Sequence, residues 1–131
     1  MRILKVIFCL VTSLALVAGC SRKADQSANE IPADLPLPQK LEAALKITNP
    51  ESRDEALRRI CNESATQRQP DVAKQALEKM SKPQVRDDVA AGVAKLFARL
   101  GDTESAGQLA SMISSQEIKD RVLAEIARSV R

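Results

Sequence analysis

The sequence predicts an all-α domain, a short α-solenoid of three helical hairpins that follows a leader peptide and a flexible tether. Apolar residues recur at helical spacing through the second half of the chain, and a period of 33 residues repeats there without gaps. No stretch alternates apolar and polar residues for long enough to make a strand. The predicted parts are a leader over 1–19, a tether over 20–36 and a helical-repeat domain over 37–131.

The first 19 residues have the layout of a secretory signal peptide. Arg2 and Lys5 provide early positive charges, and an uncharged run extends from Val6 to Ala18. This run of 13 residues is shorter than the roughly 20 that a membrane-spanning helix needs. The segment is therefore predicted to be removed after export.

The end of the leader, Leu16-Val17-Ala18-Gly19-Cys20, resembles the lipobox of bacterial lipoproteins. The resemblance implies S-diacylglycerol on the Cys20 thiol, cleavage after Gly19 and, in many bacteria, an N-acyl group on the new amine. Two or three acyl chains hold a protein firmly on a membrane. Ser21 stands where an aspartate would signal inner-membrane retention, which favours the outer membrane, facing the periplasm, in a Gram-negative source. The alternative is an ordinary secreted protein with a chance cysteine at this place.

The tether is polar at first and then punctuated by Pro32, Pro36 and Pro38. Such a composition buries too little apolar surface to order itself, and proline favours extended geometry, so we expect a flexible spacer. Alternatively, residues 32–38 are a docking peptide for an aromatic groove.

The repeat is visible in an arginine-aspartate pair, because Arg53-Asp54 recurs as Arg86-Asp87 and, conservatively, as Lys119-Asp120. Each copy has a shorter first helix and a longer second helix. The first helices are predicted over Pro38–Ile47, Pro70–Met80 and Thr103–Ile113, and the second over Pro50–Thr66, Pro83–Leu100 and from Gln116 to the C-terminus. Predicted start signals are Asn49, Asp102 and a capping box of Ser114 with Glu117, and Gly101 marks a helix end.

Over residues 37–131 the chain resembles the tetratricopeptide-like α-solenoids, in its stacked hairpins and in its loose pattern of arginine-aspartate, an apolar pair and alanine. The resemblance implies that the first helices line a concave face that binds a protein or peptide. The polar residues that share repeat positions on those helices are the predicted partner-binding residues: Glu42, Gln75 and Gln108 at one position, and Lys46 and Lys79 at another. The alternative is that they are only the solvated stripe of amphipathic helices.

The composition argues against an enzyme, a metal site, a cofactor and nucleic-acid binding. Histidine is absent, and so is a Gly-x-Ser-x-Gly elbow, which leaves no visible nucleophile with its base. Loss of the leader lowers the formal charge from +3 to +1 and leaves Phe97 as the only aromatic residue. Cys61 is then the only cysteine besides Cys20, too few for a cysteine zinc site.

Two repeated positions are predicted to be structural. The aspartate of each arginine-aspartate pair should complement the dipole of its own helix, while the basic residue reaches a neighbouring repeat. Cys61 aligns with Ala94 and Ala127, which predicts a small, buried and inert side chain. The alternative for Cys61 is a reactive thiol.

These observations favour a membrane-anchored, non-enzymatic adaptor or assembly factor that binds a protein or peptide in the bacterial cell envelope. The alternative is a structural or surface-displayed lipoprotein that self-associates without a groove ligand. A homo-oligomer is consistent with a domain near the lower size limit for a stable fold.

The lipobox interpretation predicts that Cys20→Ala abolishes lipidation and leaves unprocessed precursor, because the thiol is the only acyl acceptor in the box. Metabolic labelling with a fatty-acid analogue measures this. Label that persists in the variant would contradict the lipoprotein interpretation.

Overall fold

The computed structural model describes residues 31–129, which form six α-helices and no β-strand. The helices are α1 (Leu37–Leu45), α2 (Pro50–Thr66), α3 (Pro70–Glu78), α4 (Pro83–Arg99), α5 (Thr103–Ser111) and α6 (Gln116–Ser129). They pair into three hairpins, and each hairpin contacts only the adjacent one among the described residues. The predicted all-α solenoid is therefore confirmed. The leader, Cys20 and residues 20–30 of the tether lie outside the described residues.

The core is built from aliphatic and small side chains around the single phenylalanine of the domain. Phe97, Leu57, Leu77 and Leu109 are fully buried. Many of the remaining core positions are alanines with no exposed surface, which allow the helices to approach closely. Burial also follows the repeat, since the equivalent residues Ile60, Val93 and Ile126 are all buried.

Two of the predicted helix starts are confirmed by hydrogen bonds. Asn49 Oδ1 accepts from the Glu51 amide at 2.9 Å and from the Ser52 amide at 3.1 Å, which caps α2. Asp102 Oδ1 accepts from the Ser105 amide at 3.0 Å and caps α5. The same hydrogen bond holds the pKa of the Asp102 carboxyl below its ordinary value.

The predicted capping box of Ser114 and Glu117 is wrong. Helix α6 begins at Gln116, and its first backbone hydrogen bond runs from the Lys119 amide to the Ser115 carbonyl at 3.0 Å. The Ser114 hydroxyl instead accepts a hydrogen bond from Arg86 Nη2 at 2.5 Å. Arg86 of the second hairpin therefore engages the Ser114 hydroxyl that the sequence pattern predicts as the helix cap.

The first helices end two residues earlier than predicted. Ile47, Met80 and Ile113 lie just beyond them, yet each is buried and donates its amide to the carbonyl three residues earlier. A tightened last turn thus keeps these side chains in the core without continuing the helix. Leu100, the predicted last residue of the fourth helix, is its exposed C-cap.

The end of the predicted tether lies against the domain. Ile31 is half-buried and packs on the core, and the Leu35 amide donates to the Pro32 carbonyl at 3.4 Å in a turn. The tether sequence offers Ile31 as one of its few large apolar side chains, and burial of such a side chain is favourable.

The first hairpin has an ion pair that the other hairpins lack. Lys40, only 7% exposed, stands at the position of Ala73 and Ala106, and its Nζ lies 2.7 and 2.8 Å from the two carboxylate oxygens of Glu63. Because a buried ammonium is costly without a partner, this pair compensates for the lysine's burial and joins α1 to α2.

The second helices of the first two hairpins end in the same way. After α4, Gly101 has φ of +83°, and the amides of Gly101 and Asp102 donate to the carbonyls of Ala98 and Phe97. After α2, Arg68 has φ of +55°, and the equivalent bonds run from Arg68 and Gln69 to Ala65 and Ser64. Both ends are Schellman motifs, and the predicted end at Gly101 is confirmed.

The Schellman motif predicts that Arg68→Gly stabilises the protein by about 1 kcal/mol, because a side chain at positive φ is strained and glycine is not. The equivalent change in the opposite sense, Gly101→Ala, should destabilise it by about the same amount. Urea denaturation followed by circular dichroism measures both changes. Equal stabilities of Arg68→Gly and the parent protein would contradict this account of the helix end.

Candidate functional site

The five predicted partner-binding residues are all exposed on the first helices or at their C-terminal ends. Glu42, Gln75 and Gln108 lie within α1, α3 and α5, while Lys46 and Lys79 are the C-caps of α1 and α3. Helix α3 contacts both α1 and α5. The structure thus places the five residues on three neighbouring helices, and we call them the first-helix row.

Lys74 belongs beside this row, although the repeat pattern did not identify it. Its Nζ donates a short hydrogen bond to Gln108 Oε1 and lies 3.6 Å from Asp71 Oδ1. Gln108 Nε2 in turn donates to Glu104 at 3.4 Å. Leu41 and Gly107 occupy the equivalent positions of Lys74 in the other copies, so a search for shared polar positions passes over it.

The arginine-aspartate pairs connect consecutive hairpins through one repeated arrangement. Asp54 accepts from the amides of Ser81 and Lys82 at 2.9 and 3.3 Å. Asp87 accepts from the amides of Ser114 and Ser115 at 3.0 and 2.9 Å. We call each such set of residues a junction clamp. It consists of a basic residue and an aspartate on one second helix, together with the two loop residues that precede the next second helix.

The arginines complete the junction clamps from the side. Arg53 Nη2 donates to Ser81 Oγ at 2.6 Å, as Arg86 donates to Ser114 in the next clamp. The Nε atoms of both arginines are buried and donate no hydrogen bond to another described residue, although Arg86 Nε lies 3.8 Å from Asp87 Oδ1. As predicted, the basic residue reaches a neighbouring repeat.

The predicted role of the aspartates needs a correction. Asp54 and Asp87 are nearly fully buried, and their carboxylates bind the loop that leads into the second helix of the next hairpin. For the fourth helix this replaces a side-chain cap, because the residue before it, Lys82, makes none. The dipole of the aspartate's own helix is therefore secondary to two hydrogen bonds that join separate hairpins.

Cys61 is fully buried, as predicted, and its Sγ lies 3.7 Å from the Ala73 carbonyl oxygen, to which the thiol donates. Burial raises the pKa of this thiol to about 12, because the thiolate would lose its hydration. Because the folded protein holds this proton more tightly than the unfolded chain, the free energy of unfolding is highest below the ordinary thiol pKa of 9.0. It is expected to fall as the pH rises from 9.0 toward 12.

A shallow depression lies at the first hairpin junction, where it is lined by Glu51, Asp54, Glu55, Arg58, Lys82 and Val85. The Glu51 and Lys82 side chains pair across it at 2.8 Å. Their mutual hydrogen bond lowers the pKa of Glu51 and raises that of Lys82. Within residues 31–129 no group of three or more acidic, cysteine or histidine side chains is placed to hold a metal ion.

None of the described helices has both the length and the apolar character that crossing a membrane requires. Comparison of the chain with models of protein families gave no match, and comparisons with curated proteins and with solved structures gave none either.

The junction clamp predicts that Asp87→Asn destabilises the protein by about 1–3 kcal/mol. Asparagine offers one oxygen where two amides need an acceptor, and its own NH₂ group would face one of those donors. Its exposed neighbour supplies the control, Asp88→Asn, which should change stability by less than about 0.5 kcal/mol. Urea denaturation compares the two variants, and equal effects would contradict the clamp.

Proposed function

We propose that this protein is a lipoprotein of the bacterial cell envelope, anchored through lipid on Cys20, whose helical repeats bind a protein or peptide without catalysing a reaction. The anchor is supported by the lipobox and the short apolar run that precedes it. The binding role is supported by the first-helix row, and this row is the observation that carries the proposal.

The row supports binding because polar side chains recur in register on helices that contact one another. Glu42, Gln75 and Gln108 repeat every 33 residues, and all three are exposed. A single exposed glutamine needs no explanation, since most polar residues lie at the surface. Three at one repeat position give a partner regularly spaced hydrogen-bonding groups along the solenoid.

The chemistry of the row favours an extended peptide segment. Amide side chains donate to and accept from a peptide backbone, and the ammonium groups of Lys46 and Lys79 bind carbonyl or carboxylate oxygens. Packed helices lie about 8–10 Å apart, so three first helices span about 20 Å. At about 3.3 Å per residue, an extended segment of about six residues crosses all three.

The proposal predicts that the double variant Gln75→Ala/Lys79→Ala weakens partner binding about tenfold while stability changes by no more than about 0.5 kcal/mol. The partner is first isolated from solubilised membranes, and its affinity for each variant is then measured by calorimetry.

The matched control is Gln84→Ala/Asp88→Ala, a pair with the same spacing that is exposed on α4. It should leave the affinity unaltered, because it lies on a second helix. If the partner binds both double variants as tightly as the parent protein, the first-helix row is not the binding surface.

A further inference from the structure

The two ends of the solenoid carry the two halves of a junction clamp. Inside the domain, each clamp joins an aspartate to loop amides that lie 27 and 28 residues further along the chain. The third aspartate, Asp120, has no following hairpin among the described residues, and the first loop, residues 48 and 49, has no preceding one.

The C-terminal end leaves the acceptor half of a clamp unused. Asp120 is exposed, and among the described residues its carboxylate accepts only from the Gln116 side chain, one turn earlier on the same helix, at 2.8 Å. The side chain of Lys119, at the position of Arg53 and Arg86, makes no hydrogen bond or ion pair to another described residue.

Apolar positions at this end are also uncovered. Leu123 is 41% exposed, whereas the equivalent residues Leu57 and Ala90 are fully buried beneath the following hairpin. Ala127 is exposed, whereas its equivalents Cys61 and Ala94 are fully buried. We call Lys119, Asp120, Leu123 and Ala127 the tail face.

The N-terminal end leaves the donor half of a clamp unused. Thr48 and Asn49 stand one repeat before Ser81 and Lys82, and both are exposed. Their backbone amides have no acceptor among the described residues. Thr48 also keeps the hydroxyl that accepts from arginine in the two internal clamps.

Two side chains on the helices that flank this loop are more exposed than their equivalents in later hairpins. Gln39 is exposed where Val72 and Ser105 are buried, and Ala56 is half-buried where Val89 and Val122 are buried. We call Gln39, Thr48, Asn49 and Ala56 the head face.

We propose that the tail face of one copy binds the head face of a second copy, so that the solenoid continues from chain to chain. Asp120 of the first copy then accepts from the Thr48 and Asn49 amides of the second. Lys119 donates to the Thr48 hydroxyl, as Arg53 donates to Ser81. Leu123 and Ala127 become covered as their internal equivalents are.

A second copy is favoured over another partner because the two faces continue an interface that the chain already forms twice. A basic residue also stands at position 119 and a hydroxyl at position 48, although no clamp within residues 31–129 uses them. The acceptor at one end also matches the donors at the other. The contact joins unlike faces, so each added copy exposes a new tail face and the assembly lengthens unless it closes into a ring.

The head face offers less apolar surface than an internal junction does. Ala56 stands where later hairpins have the larger Val89 and Val122, and Gln39 stands where they have Val72 and Ser105. An interface with less apolar surface than an internal junction is reversible, so the test captures it covalently.

The experiment uses the full chain with cysteines at the predicted contact, Thr48→Cys and Lys119→Cys, and a short bismaleimide cross-linker. The internal counterparts of these positions, Ser81 and Arg53, touch through their side chains. The chain with both substitutions should give a ladder of dimers, trimers and longer products. A mixture of the two single variants should give dimers only, and each single variant alone should match the parent protein.

A second substitution tests whether the ladder depends on the tail face. Leu123→Arg should reduce the ladder about tenfold, because it introduces a charge where the contact needs an apolar side chain. Leu45→Arg is the matched control: Leu45 is 40% exposed, its equivalents Glu78 and Ser111 are exposed too, and the ladder should persist.

Three results would overturn the proposal. The first is that the chain with both cysteines gives no products beyond those of the parent protein. The second is that Lys119→Cys alone gives as much dimer as the mixture, which would mean a tail-to-tail contact. The third is a ladder that Leu123→Arg leaves unchanged while circular dichroism shows the variant to be folded.

Discussion

The solenoid depends on an aspartate carboxylate that accepts hydrogen bonds from two backbone amides of the next hairpin. Asp54 and Asp87 make this contact while nearly fully buried, where an unpaired charge would be costly. The contact involves backbone atoms, so it fixes where the next second helix begins and not merely which side chains touch it. A core rich in alanine packs closely, but it does not by itself specify one register, and the clamp supplies that register.

Local chemistry explains why so much of the fold could be predicted from the sequence. Asparagine before proline, aspartate before threonine and glycine at a helix end act within a few residues, so Asn49, Asp102 and Gly101 were interpreted correctly. Arg68 carries no such signal: nothing in its own sequence indicates a positive φ, although it aligns with Gly101 in the repeat.

Contacts between distant residues limited the prediction. The hydrogen bonds of Asp54 reach 27 and 28 residues along the chain, so the aspartate was interpreted through its own helix. The sequence around Ser114 fits a capping box, whereas its actual hydrogen bond from Arg86 depends on how two hairpins pack, which no local pattern shows. The ion pair of Lys40 and Glu63 occurs in one repeat copy only, so an alignment of the repeats gives no sign of it. The five predicted partner-binding residues are exposed, which is as much as their polar character and helix positions determine.

The near-identity of the two junction clamps bears on how such a chain can change in length. A hairpin with an arginine-aspartate pair on its second helix and a serine in its loop presents, at each side, the groups that its neighbours already bind. Tandem duplication of the middle hairpin in the gene would therefore create a new junction that needs no further substitution. Growth or shortening by whole hairpins is the evolutionary freedom that this architecture allows.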